Sequence, residues 1–332
     1  MKRREVMIVL GGAAVAWPLR SRAQPRDSLR RVGVLIGISA NDPTARAREA
    51  TLLAALQALG WRQGQNVSVT FRFAGGQAQL FDSYAQELVN LRPDVVLAVT
   101  SPAVEAILKF NKAVPIVFVS VVAPERRGFI ENLEHPGGNL TGFTNFEFSM
   151  GGKWLEALKQ VAPRVANVGL MFNPETSSSY ADLFLSSVRA AAPAYEVNEV
   201  LATPVRDAAD IEAQVAAVAH TPDSALIVLP DNLALRYRKL IIEQVAQRRL
   251  PAVYPFRSFA VDGGLMVYGI DQNDVFKQAA TYVHRILKGE RPGDLPVQAP
   301  NTFELVINIR TAKALGLTVS PWLLATANET IE

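Results

Sequence analysis

Cysteine is missing from this sequence, and histidine occurs only three times among its 332 residues. Without cysteine there is no disulfide scaffold, no thiolate metal site, no thiol nucleophile and no N-terminal cysteine to carry a lipid anchor. The histidines, His135, His220 and His284, are scattered and fit no spaced pattern of metal ligands. The sequence therefore predicts no metal site and no cofactor.

Long hydrophobic runs and catalytic signatures are also missing. No stretch approaches the ~20 apolar residues that a membrane-spanning helix needs, so we expect no membrane span in the mature chain. The sequence contains no G-x-S-x-G nucleophile elbow, no G-x-x-x-x-G-K-[ST] phosphate loop and no G-x-G-x-x-G after its first predicted strand. Nothing supplies a nucleophile, a base or a metal, and we therefore expect a protein that is not an enzyme.

The excess of positive charge lies almost entirely at the N-terminus. The chain has a formal net charge of +3 and a pI of about 9.1. The first 23 residues hold five of the basic side chains against Glu5 alone, and without them the net charge is −1. Basic residues of the remaining chain, such as those at 236–239 and 248–249, lie on predicted amphipathic helices and are most simply solvated faces, so the sequence predicts no nucleic-acid partner.

Residues 1–23 have the order of regions typical of an export signal peptide. A basic start is followed by a modest apolar stretch over residues 6–17, and small residues at 21 and 23 form a cleavage site. The pair Arg3-Arg4 before a weakly hydrophobic segment indicates a twin-arginine signal, although the general secretory route stays open. We therefore expect export to the periplasm.

From residue 31 onward, short apolar runs rich in β-branched residues alternate with helical patterns. Residues 32–36, 94–99 and 115–119 are nearly all apolar, as expected of parallel strands covered on both faces. A dense turn signal at 134–139 interrupts the alternation, which then restarts. Because a single core stops growing near ~250–300 residues, the chain is expected to form two α/β lobes with a cleft between them.

Ligands of open α/β sheets bind beyond the carboxyl ends of the strands, so the residues that follow each predicted strand are the candidate site. Several are small and polar, and some begin a helix whose free N–H groups attract a carboxylate. The same residues could serve only as helix caps, and an aromatic side chain packs more often in a core. The candidates are Ser39, Thr100, Ser101, Ser120, Asn173, Asp231, Tyr254 and Asp271.

Several sequence blocks resemble the ABC-transporter substrate-binding proteins of the tryptophan/tyrosine-uptake type. The likeness covers essentially all of residues 31–332, and the expected signal peptide is of the kind that these proteins carry. The blocks are residues 115–118, 135–143, 172–174, 225–231, 250–254, 263–271, 285–289 and 303–317.

This resemblance implies a type I periplasmic-binding-protein fold, with two Rossmann-like lobes of parallel sheets joined by three crossovers. Lobe 1 would comprise residues 31–141 plus 269–300, and lobe 2 residues 142–268 plus 301–332. It also implies a periplasmic receptor that delivers a small carboxylate, expected to be an amino acid, to ABC permease and ATPase subunits. Alternatives are a receptor for an aromatic acid or another small molecule and, less favoured, a hydrolase on the same scaffold.

The resemblance also implies roles for individual residues. Hydroxyls and helix-start amides at Thr100, Ser101 and Ser120 would hold the ligand's carboxylate. Asp231 or Asp271 would hold an ammonium group, and the sequence leaves this choice open. The loop after the first strand, residues 37–40, contains no aromatic residue, which argues against a purely aromatic-amino-acid pocket.

Overall fold

Two sheets, one in each lobe, organise the chain in the computed structural model, which describes residues 29–145, 148–300 and 302–332. The predicted export signal, residues 1–23, lies outside the described residues. None of the helices in these ranges is both long enough and apolar enough to span a membrane.

The first sheet has five parallel strands in the order β2-β1-β3-β4-β5. Residues of β3 and β4 are buried throughout, because helices cover both faces of the sheet. The strands are β1 (Arg30–Ile36), β2 (Val67–Phe73), β3 (Val95–Val99), β4 (Ile116–Val121) and β5 (Leu140–Thr144). The helices between them are α1 (Pro43–Ala58), α2 (Ala78–Asn90) and α3 (Ser101–Phe110).

The second sheet has seven strands in the order β12-β11-β10-β9-β8-β6-β7. Its strands are β6 (Asn167–Phe172), β7 (Glu199–Pro204), β8 (Ser224–Val228), β9 (Ala252–Tyr254), β10 (Met266–Ile270), β11 (Phe303–Asn308) and β12 (Glu329–Ile331). Its helices are α4 (Met150–Val161), α5 (Pro174–Ala191), α6 (Ala208–His220), α7 (Asn232–Arg236), α8 (Arg238–Gln247) and α9 (Arg257–Val261). After β10 come α10 (Gln272–Leu287), α11 (Ile309–Ala314) and α12 (Pro321–Thr326), and short 3-10 turns lie at Ala192–Tyr195 and Pro292–Asp294.

The chain passes between the lobes three times. It leaves the first sheet after β5, returns after β10, and crosses again between α10 and β11. On its return α10 packs against α1 and against the first sheet, and His284 accepts a hydrogen bond from the indole of Trp61 at 3.0 Å. The helix α10 therefore belongs structurally to the first lobe.

The predicted lobe boundaries at 141/142 and 268/269 fall inside strands. Residues 142–144 complete β5 in the first sheet, and residues 269–270 complete β10 in the second. In each case the chain changes lobe only after the strand has ended.

One pair of strands departs from the predicted parallel arrangement, since β10 and β11 run antiparallel. β10 runs toward the crossover region and β11 runs away from it, and both lie in the same sheet. The backbone N–H of Asp271 donates to the carbonyl of Thr302 at 3.2 Å, where the two crossing segments meet.

Candidate ligand-binding cleft

A cleft with a cavity volume of about 40 Å³ lies between the carboxyl ends of the two sheets. It is lined from both lobes, as expected where parallel strands end. The polar residues from the first lobe are Arg48, Thr100, Ser101, Ser120, Asn145 and Gln272, and the second lobe contributes Thr176, Tyr180, Asp231, Asn232 and Phe256.

The backbone is strained where β3 and β4 end at the cleft. Thr100 has φ 78° and ψ 159°, and Ser120 has φ 58°. These are regions that non-glycine residues rarely adopt, and a β-branched threonine adopts them least readily. Thr100 is the N-cap of α3, and its backbone N–H is held by the carbonyl of Val119 at 2.8 Å. This geometry brings the start of α3 and the buried Ser101 to the cleft wall.

Arg48 is the buried cation of the first lobe, with only 4% of its surface exposed. Its Nη2 donates to Oε1 of Gln272 at 3.4 Å, and the Ser120 hydroxyl donates to the same oxygen at 3.2 Å. Burial lowers the pKa of the Arg48 guanidinium to about 10, while the charge of Asp42 opposes the shift. The guanidinium therefore remains charged at neutral pH and gives this side of the cleft a positive end.

Asp231 is the buried anion of the second lobe, with 7% of its surface exposed. It caps α7, where its Oδ1 accepts from the Leu233 N–H at 2.6 Å, and its Oδ2 accepts from the Thr176 hydroxyl at 2.5 Å. Phe256 supplies an apolar surface on the same side of the cleft, eight per cent exposed. The second lobe thus presents a carboxylate and an aromatic ring to the same cleft.

The two lobes touch directly across the cleft. Asn232 Nδ2 donates to the Thr100 hydroxyl at 3.2 Å, and Arg238 Nη1 lies 2.5 Å from Asp42 Oδ2. Arg238 also pairs with Asp262 of its own lobe at 2.6 Å. These contacts describe a closed arrangement in which the cleft walls face each other.

Four of the eight predicted site residues line this cleft: Thr100, Ser101, Ser120 and Asp231. They come from three strand ends in two lobes. The folding pattern therefore brings together residues that are up to 131 positions apart in the sequence.

The other four lie elsewhere. Ser39 is exposed and its hydroxyl accepts from the Asn41 N–H, while Asn173 caps α5 through the Glu175 N–H. Asp271 caps α10 and faces a neighbouring groove that also contains Glu304.

Tyr254 is a core residue, stacked on Phe259 with ring centroids 4.8 Å apart. Burial raises the pKa of its hydroxyl, as an apolar environment disfavours the phenolate. It is the last residue of a fully buried strand, whereas Phe256, two positions later, lines the cleft.

The sequence reasoning did not propose Arg48, Asn145, Thr176, Tyr180, Asn232 or Gln272 as site residues. Arg48 carried a usable signal, because it shares the buried stripe of α1 with Ala45, Leu52 and Leu56. A charge at a helical core position is almost never fully buried unless it is paired or binds something. Gln272 follows a predicted strand directly after Asp271, so the strand-end rule was applied one residue too early.

Residues 31–331 match the family described as "ABC transporter substrate binding protein". The chain belongs to this family. The members of this family are the substrate-binding proteins of ABC transporters.

Relatives of this substrate-binding protein agree with the assignment. A tyrosine-binding protein of Clostridioides difficile is 24% identical over 88% of this chain and 83% of its own length. A solved conserved domain protein from Vibrio cholerae is 28% identical, covers 91% of this chain and 99% of that chain, and has a TM-score of 0.82.

The fold is shared with a solved ABC domain from Streptococcus pneumonia in complex with L-Trp. That structure covers 92% of this chain and 100% of its own, with 24% identity and a TM-score of 0.83. The two-lobed α/β architecture of this substrate-binding protein is thus that of the type I periplasmic binding proteins.

Proposed function

We propose that this chain is the exported, periplasmic receptor of an ABC importer, and that it closes on a small carboxylate, in the first instance an amino acid. The observation that carries the proposal is the polarity of the cleft. Hydroxyls at Ser101 and Ser120 and the start of α3 lie on one wall, and the buried carboxylate of Asp231 lies on the other. A zwitterion matches this arrangement of donors and charge.

The relatives support an amino acid as the ligand, since one is named a tyrosine-binding protein and another is solved with L-Trp. Thr100, Ser101 and Ser120 would bind the carboxylate, Asp231 would accept from the ammonium, and Phe256 would contact the side chain. A micromolar affinity corresponds to roughly −8 kcal/mol, which a buried charged site with apolar contact can supply.

Delivery to a permease and an ATPase would follow closure, because ligand contacts to both lobes favour the closed state. The basic, apolar and cleavage regions within residues 1–23 support export to the periplasm. Cell fractionation that finds the full-length chain only in the cytoplasm would contradict this part of the proposal.

A thermal-shift screen of amino acids, aromatic acids and sugars tests the ligand class, with mass spectrometry of the recovered ligand. We expect stabilisation by one or more amino acids and recovery of the ligand unchanged. Stabilisation by sugars alone would overturn the carboxylate assignment, and chemical conversion of the ligand would favour the hydrolase alternative.

The ammonium assignment is tested with Asp231→Asn, because asparagine caps a helix as well as aspartate does. We expect this variant to fold normally and to lose about 10- to 100-fold in affinity for the amino acid, as charged hydrogen bonds contribute more than neutral ones. Affinity for the matching acid without its amino group should change little. Equal losses for both compounds would show that Asp231 does not hold the ammonium.

A further inference from the structure

Gln272 occupies an unusual position in the wall of the cleft. It is the first residue of α10, the helix that returns to the first lobe, and its Oε1 is the shared acceptor of Ser120 and Arg48. The distance from Arg48 is 3.4 Å, longer than the usual N–H···O distance of about 2.9 Å. The neutral amide oxygen of Gln272 thus accepts from both Ser120 and Arg48, and its hydrogen bond with Arg48 is weak.

This arrangement leaves buried donors without acceptors. Nε of Arg48 and Nε2 of Gln272 are both buried and have no hydrogen-bond partner among the described residues. An unsatisfied buried donor is energetically unfavourable, and a bound ligand or ion is one way in which such a donor is satisfied. Both of these donors belong to side chains that line the cleft.

The charge of Arg48 is also left without a counter-ion. Asp42 acts on Arg48 electrostatically but forms its ion pair with Arg238, and no acidic side chain in the described part of the chain pairs with Arg48. Besides Gln272, the guanidinium faces the ring of Phe276, with 5.7 Å between its central carbon and the ring centroid. A buried charge without a partner is strongly destabilising, so the cleft is prepared to receive an anion.

We propose that the amide oxygen of Gln272 holds the place of a ligand carboxylate oxygen between Arg48 and Ser120. On binding, the carboxylate takes over the donors of Arg48 and Ser120. The Gln272 side chain turns so that its Nε2 donates to the same carboxylate. Arg48 and Gln272 are then ligand-contacting residues that require a negatively charged group.

This inference rests on the proposed function and sharpens it. A neutral sugar would leave the guanidinium without a counter-ion, whereas a carboxylate accepts the charge-assisted bonds of a guanidinium readily. The ligand class is therefore a small molecule with a carboxylate directed at the first lobe.

The test places a carboxylate where the amide now lies. In the Gln272→Glu variant the new carboxylate should pair with Arg48 in the ligand-free protein. This ion pair should raise the melting temperature of the ligand-free protein, and the new carboxylate should compete with the ligand for Arg48. Arg48→Met keeps the apolar stem and removes the charge, so its ligand-free melting temperature should equal or exceed that of the wild type. A charge-matched control is Asn273→Asp, one residue later on the same helix and exposed.

The probes are L-tryptophan, L-tyrosine, 3-(4-hydroxyphenyl)propionate and benzoate, measured by thermal shift and calorimetry. For each probe that binds the wild type, we expect an affinity loss of about 10- to 100-fold in Gln272→Glu and in Arg48→Met, and no comparable loss in Asn273→Asp.

The outcomes separate the two proposals. If carboxylates bind the wild type and both cleft variants equally well, the role of Arg48 and Gln272 is wrong while the proposed function stands. A clear drop in ligand-free melting temperature in both variants would mark a structural role and would also overturn the inference. If no compound in the screen of amino acids and aromatic acids stabilises the wild type, the proposed carboxylate ligand fails and this inference fails with it.

Discussion

Thr100 shows how a single residue can be kept in an unfavourable conformation beside a binding cleft. Its φ of 78° and ψ of 159° lie in a region that is nearly reserved for glycine, and such strain costs about 1–3 kcal/mol. The strain directs the hydroxyl across the cleft, where it accepts from Asn232 at 3.2 Å. Removal of the Thr100 side chain should therefore increase the stability of the folded protein and weaken closure of the lobes on the ligand.

Thr100→Gly tests this trade-off. Relief of strain should outweigh the extra backbone entropy of glycine in the unfolded chain, about 0.5–1 kcal/mol, so urea unfolding should show unchanged or higher stability. Ligand affinity should fall, because the hydroxyl that meets Asn232 is lost. The control is Arg92→Gly, which relieves a positive φ of 48° at an exposed position far from the cleft and should leave affinity unchanged. A loss of stability in Thr100→Gly would contradict the argument.

Glu304 links stability to pH near the crossover. Burial raises its pKa to about 7, the charges of Asp271 and Glu329 add to the shift, and Arg257 opposes it. The folded state thus holds a proton between about pH 4.5 and 7 that the unfolded chain has released. The stabilising contribution is present below pH 4.5 and is lost as the pH rises through 7.

Glu304→Gln should therefore have little effect on the melting temperature at pH 5 and should raise it at pH 8. The measurement is a thermal unfolding series from pH 4 to pH 9 on both proteins. If the melting temperatures of the wild type and the variant depend on pH in the same way, Glu304 does not titrate in this range. The side chain is partly exposed, so the expected change is modest.

Single residues were harder to predict from the sequence than the positions of the strands. Strand ends located Thr100, Ser101, Ser120 and Asp231 in the cleft, because a parallel sheet brings its carboxyl ends to one edge. Tyr254 lies in the core while Phe256, two positions later, lines the cleft, since the side-chain direction at a strand end depends on where the strand stops. Residue type alone could not distinguish Arg48 from the other arginines on predicted helices, because most helix arginines are solvated.

At the scale of elements, alternation of apolar runs predicted the order of strands and helices but not the reversal of β11. Local composition contains no information on strand direction. The direction of β11 depends on the point at which the chain re-enters the second sheet after α10 has packed in the first lobe. This point is set by the tertiary structure. The antiparallel pair at the crossover is therefore a feature that only the assembled fold could show.

The helices α1 and α8 are connected across the cleft by Arg238. It contacts Asp42, the N-cap of α1, at 2.5 Å and Asp262 of its own lobe at 2.6 Å. These side chains are largely buried, with 11%, 10% and 24% exposed for Arg238, Asp42 and Asp262. Since α1 also carries Arg48, this bridge couples the ligand-binding helix to the second lobe.

Asp42→Asn should weaken closure without destabilising α1, because asparagine is also a good N-cap. We expect nearly unchanged stability of the ligand-free protein and a several-fold faster ligand dissociation, measured by stopped-flow fluorescence. Asp262→Asn is the matched control, as it removes the partner of Arg238 within one lobe and keeps the bridge between lobes. Equal dissociation rates in the two variants would argue against a closing role for the bridge.

Closure of the whole molecule depends on how closely the two lobes can approach each other. Gly37 follows β1 in the first lobe, and a Cβ atom there would lie 2.5 Å from Nδ2 of Asn232 at the start of α7 in the second lobe. A side chain at 37 would therefore act on the equilibrium between open and closed states and not on either lobe alone. Ligand binding shifts that equilibrium only by its extra contacts in the closed state.

Gly37→Ala should leave the unfolding of the ligand-free protein unchanged and should lower ligand affinity, and Gly37→Val should lower it further. Small-angle X-ray scattering should show that ligand contracts the wild type more than either variant. Gly33→Ala, on the same strand, is the control, because its Cβ would meet Leu88 within the first lobe at an ordinary 3.4 Å. In the double variant Gly37→Ala, Asn232→Ala the opposing side chain is shorter, so the ligand-induced contraction should be partly restored. Residues 37 and 232 would be coupled through the contact between their side chains. Full contraction in Gly37→Val would mean that the lobes close without bringing Gly37 against α7.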